Sequence, residues 1–250
     1  MTRADLAVIG GGMAGMSIAS ELAPTHSVIV LEQESQLAHH ATGRSAAAFL
    51  ESYGGPEVRA LTRASRPLLE AAAVDGPLLT QRPLLWVAGP GREAAIAQMR
   101  RQQPGLRGLG TDDAQRMCSV LRTEWVAAAA VEPDAQDIDV AGIHQAYVRA
   151  ARRNGVIVAR DSRVSEASYD GRGWRLRHAS GTASAGVVVD AAGAWADHVA
   201  TLFGARPCGL RPLRRTVVIA RTGQPVPASW PLVADVDDTF YFRPDGPHVL

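Results

Sequence analysis

A glycine-rich turn near the N-terminus constrains the fold of this 250-residue chain more than any other stretch. Residues 10–15 read GGGMAG and carry the pattern GxGxxG between an apolar segment and a segment with apolar residues at helical spacing. In a strand–turn–helix unit, such glycines permit a tight turn, a close approach of the backbone to a pyrophosphate, and close packing of the helix on the strand. The N-terminus of the helix adds N–H groups and a positive dipole. The stretch therefore predicts a dinucleotide site that uses Gly10, Gly12, Met13, Ala14 and Gly15.

An acidic residue at the expected spacing supports this prediction. Glu32 ends the second apolar segment, about 20 residues after the turn, where dinucleotide-binding folds hold a ribose. A carboxylate accepts hydrogen bonds from ribose hydroxyls and repels a 2′-phosphate, and the next residue is Gln33 rather than arginine. We therefore expect Glu32 and Gln33 to bind FAD or NAD rather than NADP. The alternative is an ordinary βαβ unit without a ligand.

Composition excludes several other classes of function. The chain is 46% hydrophobic and has a formal net charge of +1, which disfavours nucleic acid and anionic membranes as partners. The apolar runs are shorter than the roughly 20 residues that span a bilayer, so we expect no membrane span and a cytoplasmic location. Cys118 and Cys208 are far apart and lack metal-ligand spacing, so neither a metal site nor a disulfide is predicted.

The rest of the chain reads as two interleaved domains of different types. Residues 55–73 and 137–155 are predicted helices, the second with Asp137 or Asp139 as N-cap. Segments 77–89, 213–223 and 237–250 are strand-like without long helices between them, which is typical of an antiparallel sheet. The last predicted strand has no hairpin partner, so we expect the chain to be a fragment of a longer protein.

Two distant segments identify a family. "ATGRSAA" (residues 41–47) and "VVVDAAGAWAD" (residues 187–197) resemble the glutathione-reductase-type flavoproteins and, within them, the D-amino acid oxidase and glycine oxidase superfamily. Further segments resemble the D-arginine dehydrogenase group in the same order; they include residues 53–66, 137–155, 206–215 and 230–245. The resemblance implies an α/β fold in which a Rossmann FAD-binding domain (1–76 and 137–205) interleaves with an antiparallel-sheet substrate domain (77–136 and 206–250), incomplete at the C-terminus.

The resemblance also implies noncovalent FAD and a set of cofactor contacts. Small residues let the backbone lie against the flavin and pyrophosphate, while an arginine and a serine can donate hydrogen bonds. An alanine-rich helix start with a surface arginine is the alternative reading of the same stretch. His40 is similar to a histidine that some relatives bond to flavin, and His26, His39 and His144 are expected to be solvated. The implied contacts are Thr42, Gly43, Arg44, Ser45, Ala46, Ala47, Ala48, Val164, Ala192, Gly193 and Trp195.

On the substrate side, the resemblance implies that Tyr53, Arg215 and Tyr241 position the substrate, with Arg215 holding a carboxylate. The chain departs from the D-arginine dehydrogenase group at two positions. Leu84 stands where that group has the glutamate that binds a guanidinium, and Ala48 stands where it has a histidine. Because a cationic side chain beside Leu84 would be unpaired, an uncharged substrate is favoured.

The expected activity is FAD-dependent oxidation of a small, uncharged (D-)amino acid to an imino acid, which water hydrolyses to a 2-oxo acid and ammonia. The electron acceptor is a quinone or oxygen. The alternatives are a related flavoprotein acting on an N-methyl amino acid or a 2-hydroxy acid, and a truncated flavin-binding module without activity.

Overall fold

The computed structural model describes residues 2–72, 76–214 and 216–250. The α-helices of the described residues are α1 (Met13–Leu22), α2 (Pro56–Ala71), α3 (Glu93–Gln102), α4 (Thr111–Met117), α5 (Val140–Arg153) and α6 (Ala196–Leu202). The strands are β1 (Thr2–Ile9), β2 (Val28–Leu31), β3 (Ala48–Phe49), β4 (Leu79–Gln81), β5 (Leu84–Ala88), β6 (Arg107–Leu109), β7 (Ala128–Glu132), β8 (Gln136–Ile138), β9 (Ile157–Ala159), β10 (Val164–Tyr169), β11 (Trp174–His178), β12 (Gly181–Asp190), β13 (Leu232–Asp235), β14 (Tyr241–Phe242), β15 (Pro244–Asp245) and β16 (His248–Val249).

The first compact unit comprises residues 1–46 and 139–214. Its six-stranded sheet has the order β10-β11-β12-β1-β2-β9, in which the four strands from β12 to β9 run parallel. All four residues of β2 are buried, as expected for a strand covered on both faces. Apolar residues of α1 and α5 pack on one face of the sheet, while β10, β11 and α6 contribute to the core on the other.

The local sequence explains the ends of α5. The Asp139 side chain accepts a hydrogen bond from the Gly142 backbone N–H at 2.8 Å, which makes Asp139 the N-cap. After the helix, Gly155 has a φ of +78°, a left-handed conformation that glycine adopts without steric cost. The predicted helix begins three residues too early, because residues 137 and 138 belong to β8.

The second compact unit comprises residues 47–138 and 215–250. Its main sheet has the order β14-β13-β5-β7-β6, and a smaller antiparallel sheet has the order β3-β8-β4. One face of the main sheet packs against α4 through Leu85, Val87, Ala114, Cys118 and Val233.

The mixed α/β fold agrees with the prediction, while three details differ. The main sheet of the second unit is mixed rather than antiparallel, because β13 runs parallel to β5. The described part of segment 213–223 forms no strand; its only pairing is an isolated bridge between Ala220 and Val249. The last strand does have a hairpin partner, because β16 pairs with β15.

The unit boundaries also differ from those expected for the domains. Residues 47–72 lie in the second unit because β3 pairs with β8. Residues 206–214 lie in the first unit, where the Asp197 carboxylate accepts hydrogen bonds from the backbone N–H groups of Cys208, Gly209 and Leu210 at 2.7–2.8 Å. The assignment of the two units to cofactor and substrate stays a prediction.

Candidate functional site

The glycine turn lies at the carboxyl ends of the parallel strands β1, β2 and β12, where open α/β sheets bind ligands. Gly10 has a φ of +109°, and a Cβ placed on it would lie 2.5 Å from the Ala191 carbonyl oxygen. A Cβ on Gly15 would lie 1.9 Å from the Gly10 carbonyl oxygen. Both contacts exclude any side chain, so these glycines bring the turn, α1 and the end of β12 together.

The Glu32 carboxylate is buried beneath this turn. Its Oε2 accepts a hydrogen bond from the Gly11 N–H at 2.7 Å, and its Oε1 accepts one from the Glu34 N–H at 2.9 Å. An ionised carboxylate has about four lone-pair positions, so these two bonds leave acceptor capacity for ribose hydroxyls. Gln33, next along the chain, is partly exposed.

Two side chains from elsewhere in the first unit fix the turn. Thr42 Oγ1 accepts a hydrogen bond from the Met13 N–H at 3.0 Å, at the start of α1. His144 on α5 is 2% exposed, and its Nε2 bonds to the Gly11 carbonyl oxygen at 2.9 Å. The expectation that His144 is solvated is therefore wrong. Its position in the sequence carries no sign of this role, since the contact depends on α5 packing beside α1.

The turn after β12 contacts the loop that contains His39 and His40. Ala192 donates its N–H to Asp190 Oδ1 at 3.0 Å, and Gly193–Trp195 form one turn of 3-10 helix. The Trp195 ring lies 4.5 Å from the His40 ring, measured between centroids. Burial raises the pKa of the Asp190 carboxyl group at the end of β12. The structure thus brings together segments that the sequence separates by more than 150 positions.

The predicted flavin loop begins in the first unit and ends in the second. Thr42–Arg44 form a turn of 3-10 helix, in which Gly43 and Arg44 are exposed, as is the following Ser45. Ala46 closes the first unit, and Ala47, with a φ of +56°, opens the second. Ala48 then pairs with Asp137 in β3. Val164, the predicted adenine contact, is the buried first residue of β10.

A carboxylate and two histidines lie close together beside this loop. His40 Nε2 lies 2.8 Å from Glu34 Oε1, and this bond lowers the pKa of the Glu34 carboxyl group. With His39, these residues offer three ligand atoms within 4.8 Å of one another. No metal site was predicted at these residues.

The residues of the first unit fit a dinucleotide. Gly10 and Gly15 have no room for side chains, hydrogen bonds from the Gly11 and Met13 N–H groups to Glu32 and Thr42 fix the turn, and Glu32 disfavours a 2′-phosphate. Gly10, Gly12, Met13, Ala14 and Gly15 would line the pyrophosphate. The contact of each residue with FAD stays a prediction.

Of the predicted substrate residues, Tyr53, Leu84 and Tyr241 lie in the second unit. Leu84 and Tyr241 belong to one apolar cluster, which also includes Ala48. Leu84 is fully buried at 0% exposure, whereas Tyr53 is 61% exposed and lies outside this cluster. Arg215 lies outside the described residues. The structure therefore brings Leu84, Tyr241 and Ala48 together and does not place Tyr53 with them.

This architecture is that of a flavoprotein with a nucleotide-binding sheet, and comparison with known proteins gives the family. The family model of FAD dependent oxidoreductases, DAO, matches residues 5–250. The chain belongs to this family of FAD-dependent oxidoreductases, and its cofactor is FAD.

Three individual proteins are similar to this chain in sequence or in structure. The chain is similar to the tRNA 5-methylaminomethyl-2-thiouridine biosynthesis bifunctional protein MnmC of Caulobacter vibrioides, with 32% identity over 185 residues, which is 70% of this chain and 29% of that protein. Glycine oxidase from Geobacillus kaustophilus has a similar structure, with a TM-score of 0.81 and 22% identity over all of this chain and 70% of that one. FAD-bound L-alpha-glycerophosphate oxidase from Mycoplasma pneumoniae gives a TM-score of 0.85 at 16% identity, over all of this chain and 71% of that one.

The coverage and identity of these matches limit what can be inferred about this chain from each relative. The chain spans 29% of the length of the curated relative, so the activity of that whole protein does not transfer to it. At 22% and 16% identity, the two structures show the fold alone. Among the described residues, every helix is too short or too polar to cross a membrane.

Proposed function

We propose that this chain is part of an enzyme that oxidises the Cα–N bond of a small, uncharged amino acid, with the D-configuration favoured. The product is an imino acid, which water hydrolyses to a 2-oxo acid and ammonia. FAD, when bound, supplies the acceptor for the two electrons and the hydrogen that leave Cα. The observation that carries the proposal is the assembly at one sheet edge of the glycine turn, Glu32, Thr42 and the turn at residues 193–195.

The chain's own residues would bind and orient the substrate. Oxidation at Cα requires the carboxylate to be held so that the Cα hydrogen faces the flavin. Arg215 is proposed to hold that carboxylate, and Tyr53 and Tyr241 to orient it through their hydroxyl groups. The loop from Thr42 to Ala48 would place small residues and the Arg44 and Ser45 donors against the cofactor.

Leu84 supports an uncharged substrate side chain. Leu84 packs with Ala135, Leu232 and the partly buried Trp86 and Tyr241, all in an apolar cluster. A guanidinium or ammonium group held among these side chains would lose its hydration and find no ionic partner within the cluster, at a cost of several kcal/mol. An apolar group of the same size would gain roughly 25 cal/mol for each Å² buried.

Anaerobic flavin reduction tests the proposal directly. Amino acids of both configurations are added to the FAD-loaded protein without oxygen, and the flavin absorbance near ~450 nm is followed. The proposal requires bleaching by at least one uncharged amino acid, together with release of ammonia. Adding oxygen or a soluble quinone to the reduced protein then identifies the electron acceptor. If no amino acid bleaches the flavin, the proposed reaction is wrong.

A second candidate is oxidation of an N-alkylated amino acid, which the similarity to MnmC favours, since the product named for that protein carries a methylaminomethyl group. Oxidation at an N-methyl carbon leaves the amine nitrogen in the product and releases no ammonia. A 2-hydroxy acid would likewise bleach the flavin without ammonia, and a module without activity would bind FAD and show no bleaching with any compound. When N-alkyl amino acids and 2-hydroxy acids are added to the panel, the release of ammonia separates the first proposal from these two alternatives, and the identity of the compound that bleaches the flavin separates the two from each other.

A further inference from the structure

A buried carboxylate in the second unit has no role in the function proposed above. Glu132, the last residue of β7, is 8% exposed and lies directly opposite Leu84 in the antiparallel pair of β7 and β5. Side chains opposite each other in such a pair stand on the same face of the sheet. Glu132 is therefore the carboxylate beside the apolar cluster around Leu84.

Glu132 is bound to one residue of the loop that follows β3. Its Oε2 accepts a hydrogen bond from Ser52 Oγ. Gln103, just after α3, donates its Nε2–H to the Ser52 carbonyl oxygen at 3.3 Å. The hydroxyl and carbonyl groups of Ser52 are thus both bonded to side chains, one from β7 and one from the residue after α3.

The residue after Ser52 is the predicted substrate contact Tyr53. Its N–H donates to the Leu50 carbonyl oxygen at 3.4 Å, a weak bond, while its side chain is 61% exposed. Gly54 follows with a φ of +84°. Tyr53 therefore projects from a short segment that Ser52 attaches to β7.

The hydrogen bond to Ser52, and not the charge around Glu132, indicates what this carboxyl group does. Burial raises the pKa of the Glu132 carboxyl group, the Ser52 bonds oppose that effect, and the carboxylates of Glu51 and Asp134 add to it. Glu51 is itself paired with Arg66, with Nε and Oε1 2.7 Å apart. The carboxyl group is thus directed at Ser52 and lies among other acidic groups.

We propose that Glu132 is a positioning residue, which holds Ser52 and thereby sets the location of Tyr53 at the substrate site. The effect on substrate rests on the proposed function, whereas the attachment of Ser52 does not. The two parts are tested by separate measurements on the FAD-loaded protein.

Hydrogen–deuterium exchange tests the attachment. The Glu132→Ala variant should speed exchange in residues 50–55 on the order of tenfold, because the segment loses the hydrogen bond that attaches Ser52 to β7. Glu132→Gln keeps an acceptor oxygen and should stay within about threefold of the wild type. Asp235→Asn is the matched control, because Asp235 is a buried carboxylate of the same unit bonded to the Thr239 hydroxyl at 2.5 Å. Unchanged exchange in Glu132→Ala would overturn the proposal, whether or not the protein oxidises amino acids.

A double-mutant cycle tests the effect on substrate. Glu132→Ala should raise KM about tenfold with a smaller change in kcat, and it should have no further effect in a Tyr53→Phe background. Additive effects of the two substitutions would overturn the proposal, and so would a selective loss of cationic substrates, which would make Glu132 a recognition group. If Glu132→Ala does not fold, Ser52→Ala takes its place in the cycle. A wild type that oxidises no amino acid contradicts the proposed function alone.

Discussion

At the scale of single residues, Glu32 has the largest expected effect on the cofactor. Replacing it with alanine removes the acceptor for the Gly11 and Glu34 N–H groups and for the ribose. We expect FAD binding to weaken by about 1–3 kcal/mol, the cost of leaving such partners unpaired. Fluorescence titration of the apoprotein with FAD measures this change. Glu21→Ala, an exposed site on α1, is the control, and equal FAD affinity in the two variants would contradict the assignment.

Glu132 should make stability depend on pH. Burial raises its pKa, so the folded protein favours the protonated form, and the contribution of this group to stability is full below its ordinary pKa of 4.5. That contribution is lost as the pH rises through the raised pKa. We therefore expect the Tm of Glu132→Gln to gain on that of the wild type as the pH increases from about 4.5. A difference in Tm that is constant with pH would contradict this assignment.

At the scale of elements, α5 is expected to stabilise the glycine turn through His144. His144→Ala leaves the Gly11 carbonyl oxygen without its buried partner, which costs about 1–3 kcal/mol. Both Tm and FAD affinity should fall, because the turn at the start of α1 loses one of its supports. Tyr147→Ala on the same helix is the comparison: it removes packing and leaves the Gly11 bond in place. If His144→Ala lowers Tm without weakening FAD binding, His144 supports the helix and not the turn.

The elements also show what the sequence can predict and why the rest is missed. The unit β1–α1–β2 and helix α5 follow local patterns of apolar spacing, glycine and caps, so they were predicted with only their ends misplaced. Segment 213–223 has strand-like composition, but strand formation requires a partner, and in its described part only Ala220 has one. Glu32 was found from its spacing to the glycine turn. His144 and Glu132 were missed because their partners, Gly11 and Ser52, become neighbours only after distant elements pack.

At the scale of the whole molecule, the burial of Leu84 determines how substrate preference is tested. Leu84→Glu would place a carboxylate in an apolar cluster at a fully buried site, so loss of folding would obscure any change in specificity. The informative comparison uses the wild type. We expect kcat/KM for D-leucine, D-methionine and D-phenylalanine to exceed that for D-arginine. A higher kcat/KM for D-arginine would show that another residue supplies the negative charge that Leu84 lacks.

The parallel pair of β1 and β12 has a consequence for how the protein is made. Leu6 lies opposite Val187, so the centre of the first sheet joins the start of the chain to a strand that the ribosome delivers much later. At about 5–20 residues per second, β1 waits on the order of ten seconds or more for its neighbour, and the glycine turn cannot settle against Ala191 before then. During this interval β1 and β2 expose an apolar edge that other chains could pair with. Slowing translation should therefore increase aggregation of the nascent chain, and capture of FAD should follow the synthesis of β12.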